Sequence, residues 1–342
     1  MFSLLKNNEE PFIIAEVGQN HQGQIDLAIE YIRTFANSGA DAIKFQTRNN
    51  KYLFSDAAYK KVYNSENSFG KTYGEHREFL EFSPKQIVIL KQECEKYNVK
   101  FMSTPFDEPS LKLLCEIGVE LLKVASFDIG NLPFLEKIAR TRLPVVISTG
   151  GANNRQIEES VSLVCKTHND LALLHCVSEY PCPAEKLSLS KISEMSKNYD
   201  DINIGLSDHF NGISSGPIAY LLGARVFEKH VTLDRSWKGS DHSFALSSHG
   251  FSQFVRDLKR TPTMLKQLPK TDLGKERVFQ RLGKSIVADE DLEVGTKLNL
   301  ENLSGKIFDI TYIPVRESIS VLGKTLKEKK RSGEPIYFSD IQ

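Results

Sequence analysis

Eight short apolar runs punctuate the chain between Pro11 and Phe227, and each hands over to polar residues at its C-terminal end. They are PFIIAEVG (Pro11–Gly18, its apolar part stopping at Glu16), DAIKFQT (Asp41–Thr47), Val99–Ser103, Glu120–Ala125, Leu143–Ile147, Leu171–Cys176, Ile202–Leu206 and Ala224–Phe227. Helical patterns lie between them. Ile25, Ala28, Ile29, Ile32 and Phe35 recur at helical spacing and stop at Gly39; Pro84–Tyr97 follows the cap candidate Ser83; Ile213–Gly223 is rich in small and apolar residues. A chain that returns to a sheet through a helix re-enters it in the same direction, so the strands must be parallel. Eight such units over this span fit an α/β fold of the (β/α)8 TIM-barrel type; an open doubly wound sheet is the alternative.

Two segments break the rhythm. Arg48–Phe82 is longer than an ordinary connection, and loops of that length are functional covers or disordered. Its Tyr52, Phe54, Tyr59, Tyr63, Phe69 and Tyr73 are too many aromatics for a disordered tract. Beyond the eighth run, Phe251–Leu268 is helical in pattern, and from Gly283 the character changes to short β-type runs broken by glycine and charge. The expected organisation is a TIM-barrel domain over 1–268, a polar linker over 269–282 and a small β-rich domain over 283–342, with Met1–Glu10 a short polar arm.

Lys plus Arg and Asp plus Glu balance at 44 each, so no net field draws the chain to nucleic acid or an acidic membrane. An anionic substrate must be held by a local cluster. No apolar run approaches the roughly 18 residues of a membrane span, no signal peptide opens the sequence, and the five cysteines lack CxxC spacing. These features point to a cytoplasmic protein with reduced thiols.

The strand ends supply the cluster. In a barrel all eight C-terminal ends open on one mouth, where this fold keeps its chemistry. That mouth gathers Glu16, Lys44, Gln46, Thr104, Lys123, Ser126, Ser148, Ser178, Tyr180, Ser207, His209 and His230. Hydroxyl and ammonium groups suit phosphate and carboxylate. His209 and His230 follow neighbouring runs and emerge side by side, with Asp208, Glu228 and Asp241 close in sequence; two imidazoles among carboxylates point to a divalent metal with open positions. Singly, each residue has a bland explanation. A serine after a strand is a turn or cap residue, a rim lysine snorkels, Asp208 and Asp128 cap helices, and Tyr180 packs. Their convergence at one end of eight strands is what those explanations leave out.

In order along the chain, AEVGQNHQG (Ala15–Gly23), IKFQT (Ile43–Thr47), STPFD (Ser103–Asp107), KVAS (Lys123–Ser126), STG (Ser148–Gly150), HCVSEYP (His175–Pro181), GLSDH (Gly205–His209) and EKHVTLD (Glu228–Asp234) resemble the sialic acid synthase family. The final segment is similar to that family's small antifreeze-like (SAF) domain. The resemblance implies condensation of phosphoenolpyruvate with N-acetylmannosamine or its 6-phosphate, with release of phosphate. It implies that Lys44, Thr104, Lys123, Ser126, Ser148, Ser178 and Ser207 hold phosphoenolpyruvate, and that Gln46, Tyr180 and Asp241 face the sugar. His209 and His230 would hold the metal, usually manganese, with magnesium or cobalt as alternatives. Glu16, Lys44 and Lys123 are the expected catalytic groups, and a homodimer with exchanged SAF domains is implied. SFGKTYGEHREFLEFS (Ser68–Ser83) and LDRSWKGSDHS (Leu233–Ser243) are similar to the animal-type synthase, which uses the 6-phosphate.

The sequence also departs from the family. Ser178 stands where many members have Asn, and Asp128 where Glu is commoner. Ile307 occupies the position of an Arg that bacterial members give to the partner's sugar, leaving Lys306 or Arg316 to substitute. Other readings are a synthase of a pseudaminic, legionaminic or KDN-type acid, and a Schiff-base pyruvate aldolase using Lys123 or Lys44. A sugar- or ice-binding module in the small domain leaves the strand ends unexplained.

Overall fold

Strands β1 (Phe12–Gly18), β2 (Ala42–Thr47), β3 (Lys100–Pro105), β4 (Leu121–Val124), β5 (Val145–Ser148), β6 (Leu171–Cys176), β7 (Asn203–Asp208) and β8 (Val226–His230) pair in parallel and close on themselves. β1 pairs with both β2 and β8, so the sheet is the expected TIM barrel and the open alternative is excluded. This is a computed structural model; it describes residues 1–2, 9–267, 269 and 275–342. The strands β3, β5, β7 and β8 run past the apolar runs because the hydrogen-bond ladder continues after hydrophobicity stops.

The helices in order are α1 (Ile25–Asn37), α2 (Asn50–Leu53), α3 (Asp56–Tyr59), α4 (Tyr73–Leu80), α5 (Pro84–Lys96), α6 (Glu108–Ile117), α7 (Leu132–Arg140), α8 (Asn154–Cys165), α9 (Lys191–Asn198), α10 (Ser215–Leu221), α11 (Ser248–Met264) and α12 (Arg277–Leu282). Local chemistry sets their ends. Ser83 accepts from the Gln86 N–H while Gln86 reaches back, and Pro84 occupies the first turn where no N–H is needed. The cover Arg48–Phe82 contains α2, α3 and α4. It is held by its own aromatic cluster: Tyr73 meets Phe54 and Tyr63 edge-on at 5.4 and 5.2 Å, and Phe69 stacks on Phe79 at 5.1 Å.

Side chains along a strand alternate, and here the alternation divides the barrel interior by height. Phe12, Ile14, Ala42, Met102, Leu121, Val146, Ala172, Leu174 and Val226 form an apolar floor. One step of two toward the C-terminal ends, the same phase delivers Glu16, Lys44, Thr104, Lys123, Ser148, Cys176, Ser207 and Glu228. The other phase packs against the helices.

The start of the chain differs from the expected polar arm. Phe2 is fully buried in the floor, meeting Phe12 edge-on at 6.0 Å, while Asn203 donates to its carbonyl at 2.6 Å and the N-terminal ammonium pairs with Asp170. One phenylalanine in a polar stretch carries no periodicity, so nothing in the pattern marks it as a plug; residues 3–8 of that arm lie outside the described residues.

The chain divides into two compact units, Met1–Leu265 and Lys266–Gln342. The second has a two-stranded antiparallel sheet, β9 (Lys284–Ala288) with β10 (Leu303–Ile307), over a core that includes Ile286, Leu298, Val321, Leu326 and Ile336. Within the stretch read as a linker, α12 is helical, whereas residues 270–274 lie outside the described residues. Among the described residues no helix is long and apolar enough to cross a membrane.

β7 and β8 come together at one glycine. A Cβ at Gly205 would lie 2.1 Å from the Val226 carbonyl oxygen and 2.4 Å from Leu174 Cδ2, contacts that backbone cannot relieve. Gly205→Ala should therefore destabilise the barrel by about 3 kcal/mol, the upper end for overpacking. Chemical denaturation measures it, and an unchanged midpoint would refute the close approach.

Candidate active site

The polar layer is fixed by register. Glu16 lies opposite Lys44 on one side and His230 on the other, Gln46 opposite Thr104, and Ser207 opposite Glu228. Ser126, Tyr180, His209 and Asp241 join from the segments after β4, β6, β7 and β8. Together they line a cavity of about 570 Å³.

Four buried charges form its base. The Lys44 ammonium lies 2.7 Å from Glu16 Oε2 and 3.6 Å from Glu228 Oε2, and donates to Thr104 Oγ1 at 3.3 Å. The Lys123 ammonium is 3.6 Å from Glu228 Oε1, to which Ser207 also donates at 3.2 Å. None of the four is more than 5% exposed. Two positive and two negative groups thus neutralise one another where water cannot.

The two carboxylates are driven apart. Burial raises the Glu16 pKa, and Lys44 only partly opposes it. Burial acts on Glu228 too, but there Lys123 and Lys44 prevail and hold it down at about 2. Burial likewise lowers the Lys123 pKa against the pull of Glu228, whereas for Lys44 the carboxylates Glu16 and Glu228 outweigh burial and raise it. Such a split separates a group that can exchange a proton from one that stays charged.

The two imidazoles stand together. The His209 and His230 rings are 5.3 Å apart between centroids, with Tyr180 tilted against His209 at 4.0 Å and Phe244 against His230 at 5.3 Å. His209 Nδ1 is engaged by the Val177 carbonyl at 2.8 Å, which orients the ring. His230 Nδ1 is buried with no hydrogen-bond partner among the described residues and lies 3.8 Å from Asp241 Oδ2. Burial brings the His230 pKa down to about 3, so that the ring is neutral and one of its two nitrogens carries a free lone pair. An orphaned ring nitrogen beside a second imidazole offers donors of the kind a divalent cation takes. Among the described residues no group of three His, Cys, Asp or Glu side chains is placed to hold a metal ion, so the protein's own donors are limited to the imidazole pair.

Every site residue expected from the sequence lines this cavity except Ser178. Ser178 is exposed; a Cβ on Gly150 would meet its hydroxyl at 2.2 Å and that of Ser126 at 2.8 Å, so the Ser178 hydroxyl lies close to the Ser126 side chain that lines the cavity. Asp208, read as a carboxylate near the metal, turns away: it binds Lys229 at 2.6 Å and accepts from the Phe210 N–H at 2.9 Å. Asp128 accepts from the Asn131 side chain at 3.0 Å. Glu228 was named only as a nearby carboxylate; its phase with His230, two residues on, was the signal that it points inward. Cys176, Arg48 and Arg77 were missed. Cys176 shares the phase of Leu174, but Arg48 and Arg77 belong to the cover, whose path no strand period predicts.

Comparison with known proteins gives a consistent family. A model described as "NeuB family" matches residues 31–270. The chain is 38% identical over 314 residues to the N-acetylneuraminate-9-phosphate synthase of Mus musculus, covering 92% of this chain and 88% of that protein. It is 34% identical over 308 residues to the N,N'-diacetyllegionaminic acid synthase of Campylobacter jejuni, covering 87% and 90%. Among solved structures, an N-acetylneuraminic acid (sialic acid) synthetase from Leptospira borgpetersenii in complex with citrate superposes with a TM-score of 0.69. It is 35% identical and covers 78% of this chain and 90% of its own.

The buried network makes a direct prediction. Glu228→Gln keeps the shape but leaves Lys123 without a carboxylate in ion-pair range among the described residues. The unliganded protein should lose about 3 kcal/mol of unfolding free energy. Inorganic phosphate should recover part of that loss in the variant and act less on the parent. Denaturation with and without phosphate checks both; equal stability of variant and parent would dismiss the network.

Proposed function

The chain belongs to the NeuB family, and we propose that it condenses phosphoenolpyruvate with an N-acylmannosamine or its 6-phosphate, forming a carbon–carbon bond and releasing phosphate. The observation that supports this most directly is one cavity holding two buried ammonium groups beside two adjacent imidazoles. Synthases of this family are generally metal-dependent. His209 and His230 are the residues that would hold the ion, manganese on our reading. Bound there, a divalent cation supplies Lewis acidity at the acceptor's aldehyde oxygen.

The chain's own groups do the rest. Lys44 and Lys123 hold the phosphate and carboxylate of phosphoenolpyruvate, helped by the hydroxyls of Thr104, Ser126, Ser148 and Ser207; the Ser148 hydroxyl is buried with no hydrogen-bond partner among the described residues. Gln46, Tyr180 and Asp241 face the sugar. Carbon 3 of phosphoenolpyruvate bonds to the aldehyde carbon, whose oxygen takes a proton. Water adds at carbon 2, and the carbon–oxygen bond to phosphate breaks. Glu16 is the proton carrier: its pKa is raised by burial, Gln46 donates to it at 2.9 Å, and it sits between Lys44 and His230 in register. Glu228 stays charged and keeps both lysines placed. Much of the rate then comes from positioning and fixed charge.

We also propose that the protein acts in the cytoplasm as a homodimer. In the second unit, Ile307 is half-exposed and brings no charge. Any sugar contact from that unit therefore falls to Lys306 or Arg316.

One observation favours a second chemistry. Burial lowers the pKa of Lys123, which is what a Schiff-base lysine needs. Borohydride with pyruvate should trap the chain if that reading holds.

Mass analysis of products from phosphoenolpyruvate, Mn²⁺ and a panel of hexosamines and their 6-phosphates tests the main reading. We expect a nine-carbon acid with release of phosphate, loss of turnover on chelation and recovery with Mn²⁺; trapping with pyruvate and indifference to chelator would overturn it. Glu16→Gln should lower kcat by about 100-fold or more while the KM for phosphoenolpyruvate stays near the parent value. Unchanged turnover would remove Glu16 from proton transfer.

A further inference from the structure

The cover carries a cation that the chemistry above does not use. Arg77, on α4, lines the cavity along with Phe54 and Tyr73 of the cover and is half-buried. Its guanidinium donates through Nε at 3.0 Å and Nη2 at 2.5 Å to the Tyr73 hydroxyl, and through Nη1 to Gln19 Oε1. Both acceptors are neutral. Among the described residues no carboxylate lies within ion-pair distance of it. The carboxylates of its own helix are engaged elsewhere: Glu75 in the N-terminal capping box, Glu78 with the Tyr59 hydroxyl at 3.4 Å, and Glu81 with Arg48 at 3.2 Å.

A guanidinium has five N–H donors, and three are used here. One remains on each terminal nitrogen, which is the fork that meets two oxygens of a phosphate. The surroundings are positive as well. Lys238, on the loop that carries Asp241, lies over the Phe69 ring at 4.9 Å, and its strand of loop is fixed to the cover by the Gly239 N–H donating to Asn67 at 3.0 Å. Buried His76 registers the field: burial, then Arg77, Lys238 and Arg48, bring its pKa down to about 4.

We propose that Arg77 is a specificity-determining residue which binds a phosphate monoester at the end of the acceptor remote from its aldehyde, so that the enzyme is selective for the sugar 6-phosphate. The inference rests on the synthase reading given above. The base of the cavity already matches the charge of phosphoenolpyruvate, and the acceptor's aldehyde belongs beside the imidazoles. A cation on the same cavity with no carboxylate partner among the described residues therefore calls for an anion on the acceptor itself. Tyr73 and Gln19 hold the guanidinium in place before that anion arrives, which lowers the ordering cost on binding.

The test compares kcat/KM for N-acetylmannosamine 6-phosphate and N-acetylmannosamine in the full chain with Mn²⁺ and phosphoenolpyruvate. Parent, Arg77→Gln and Arg77→Lys are measured, with folding checked by thermal denaturation. The parent should prefer the 6-phosphate. Arg77→Gln should lower kcat/KM for the 6-phosphate by about 10- to 100-fold, mostly through KM, as expected for one charged hydrogen-bonding partner. Its activity on the free sugar should stay within about twofold, and Arg77→Lys should fall between. Equal losses on both acceptors would mean that Arg77 only props Gln19 and Tyr73, and would overturn the proposal. So would a parent that prefers the free sugar, or a variant whose KM for phosphoenolpyruvate rises instead. A parent that converts neither acceptor defeats the synthase reading itself, and is thereby told apart from failure of the Arg77 assignment.

Discussion

Two ammonium groups and two carboxylates share the interior of this barrel, and none of the four could be there alone. An isolated ion at that depth costs several kcal/mol, and interior charges survive only when paired and hydrogen-bonded. Lys44 between Glu16 and Glu228, and Lys123 against Glu228, meet that condition with a net charge of zero. The constraint reaches outward to the whole first unit. The four groups meet only if β1, β2, β4 and β8 keep their register, and the register holds only because the ring of strands closes. The apolar floor below them is the other half of the same alternation.

Neutrality does not make the four groups equivalent. Glu228 touches both lysines and is held charged; Glu16 touches one, and burial prevails over it. Position around the ring thus gives two identical carboxyl groups opposite shifts in acidity. An incoming dianion competes with Glu228 and Glu16 for the same ammonium groups. In the unliganded protein the two carboxylates thus keep the lysines ordered.

Much of this was legible in the sequence, for a reason tied to the fold. A parallel barrel repeats one rule eight times, so polar residues that end apolar runs converge whatever the connecting helices do. Glu16, Lys44, Thr104, Lys123, Ser148, Ser207, His209 and His230 were found that way and share the cavity. Where the rule stops, so did the reading. Ser178 lies two residues beyond the end of β6, where the chain has left the strand's alternation, and its exposed side chain stands beside Ser126. Asp208 is in strand phase, but the outward one, and meets Lys229 behind the barrel. Phe2 fills the floor from a segment with no period at all. Arg77 is placed by an aromatic cluster inside the cover, a set of tertiary contacts that no spacing encodes.

Depth decides how each cation can be used. At the base, the medium is poor in water and a pair of charges about 4 Å apart is worth roughly 4 kcal/mol even at an effective dielectric of 20. A lysine left without a partner there would lose its proton or destabilise the fold, so the protein must supply the counter-charge itself. Arg77 is half-buried at the mouth, where solvent screens the same charge and a guanidinium cannot be deprotonated. It can stand unpaired against Tyr73 and Gln19 at little cost. Binding at the two ends then differs in kind. At the base, an anion must replace carboxylates that already hold the lysines, which favours a ligand of high charge and close fit. At the mouth the guanidinium is held by neutral acceptors and meets no carboxylate among the described residues, so an anion there displaces no counter-charge of the protein.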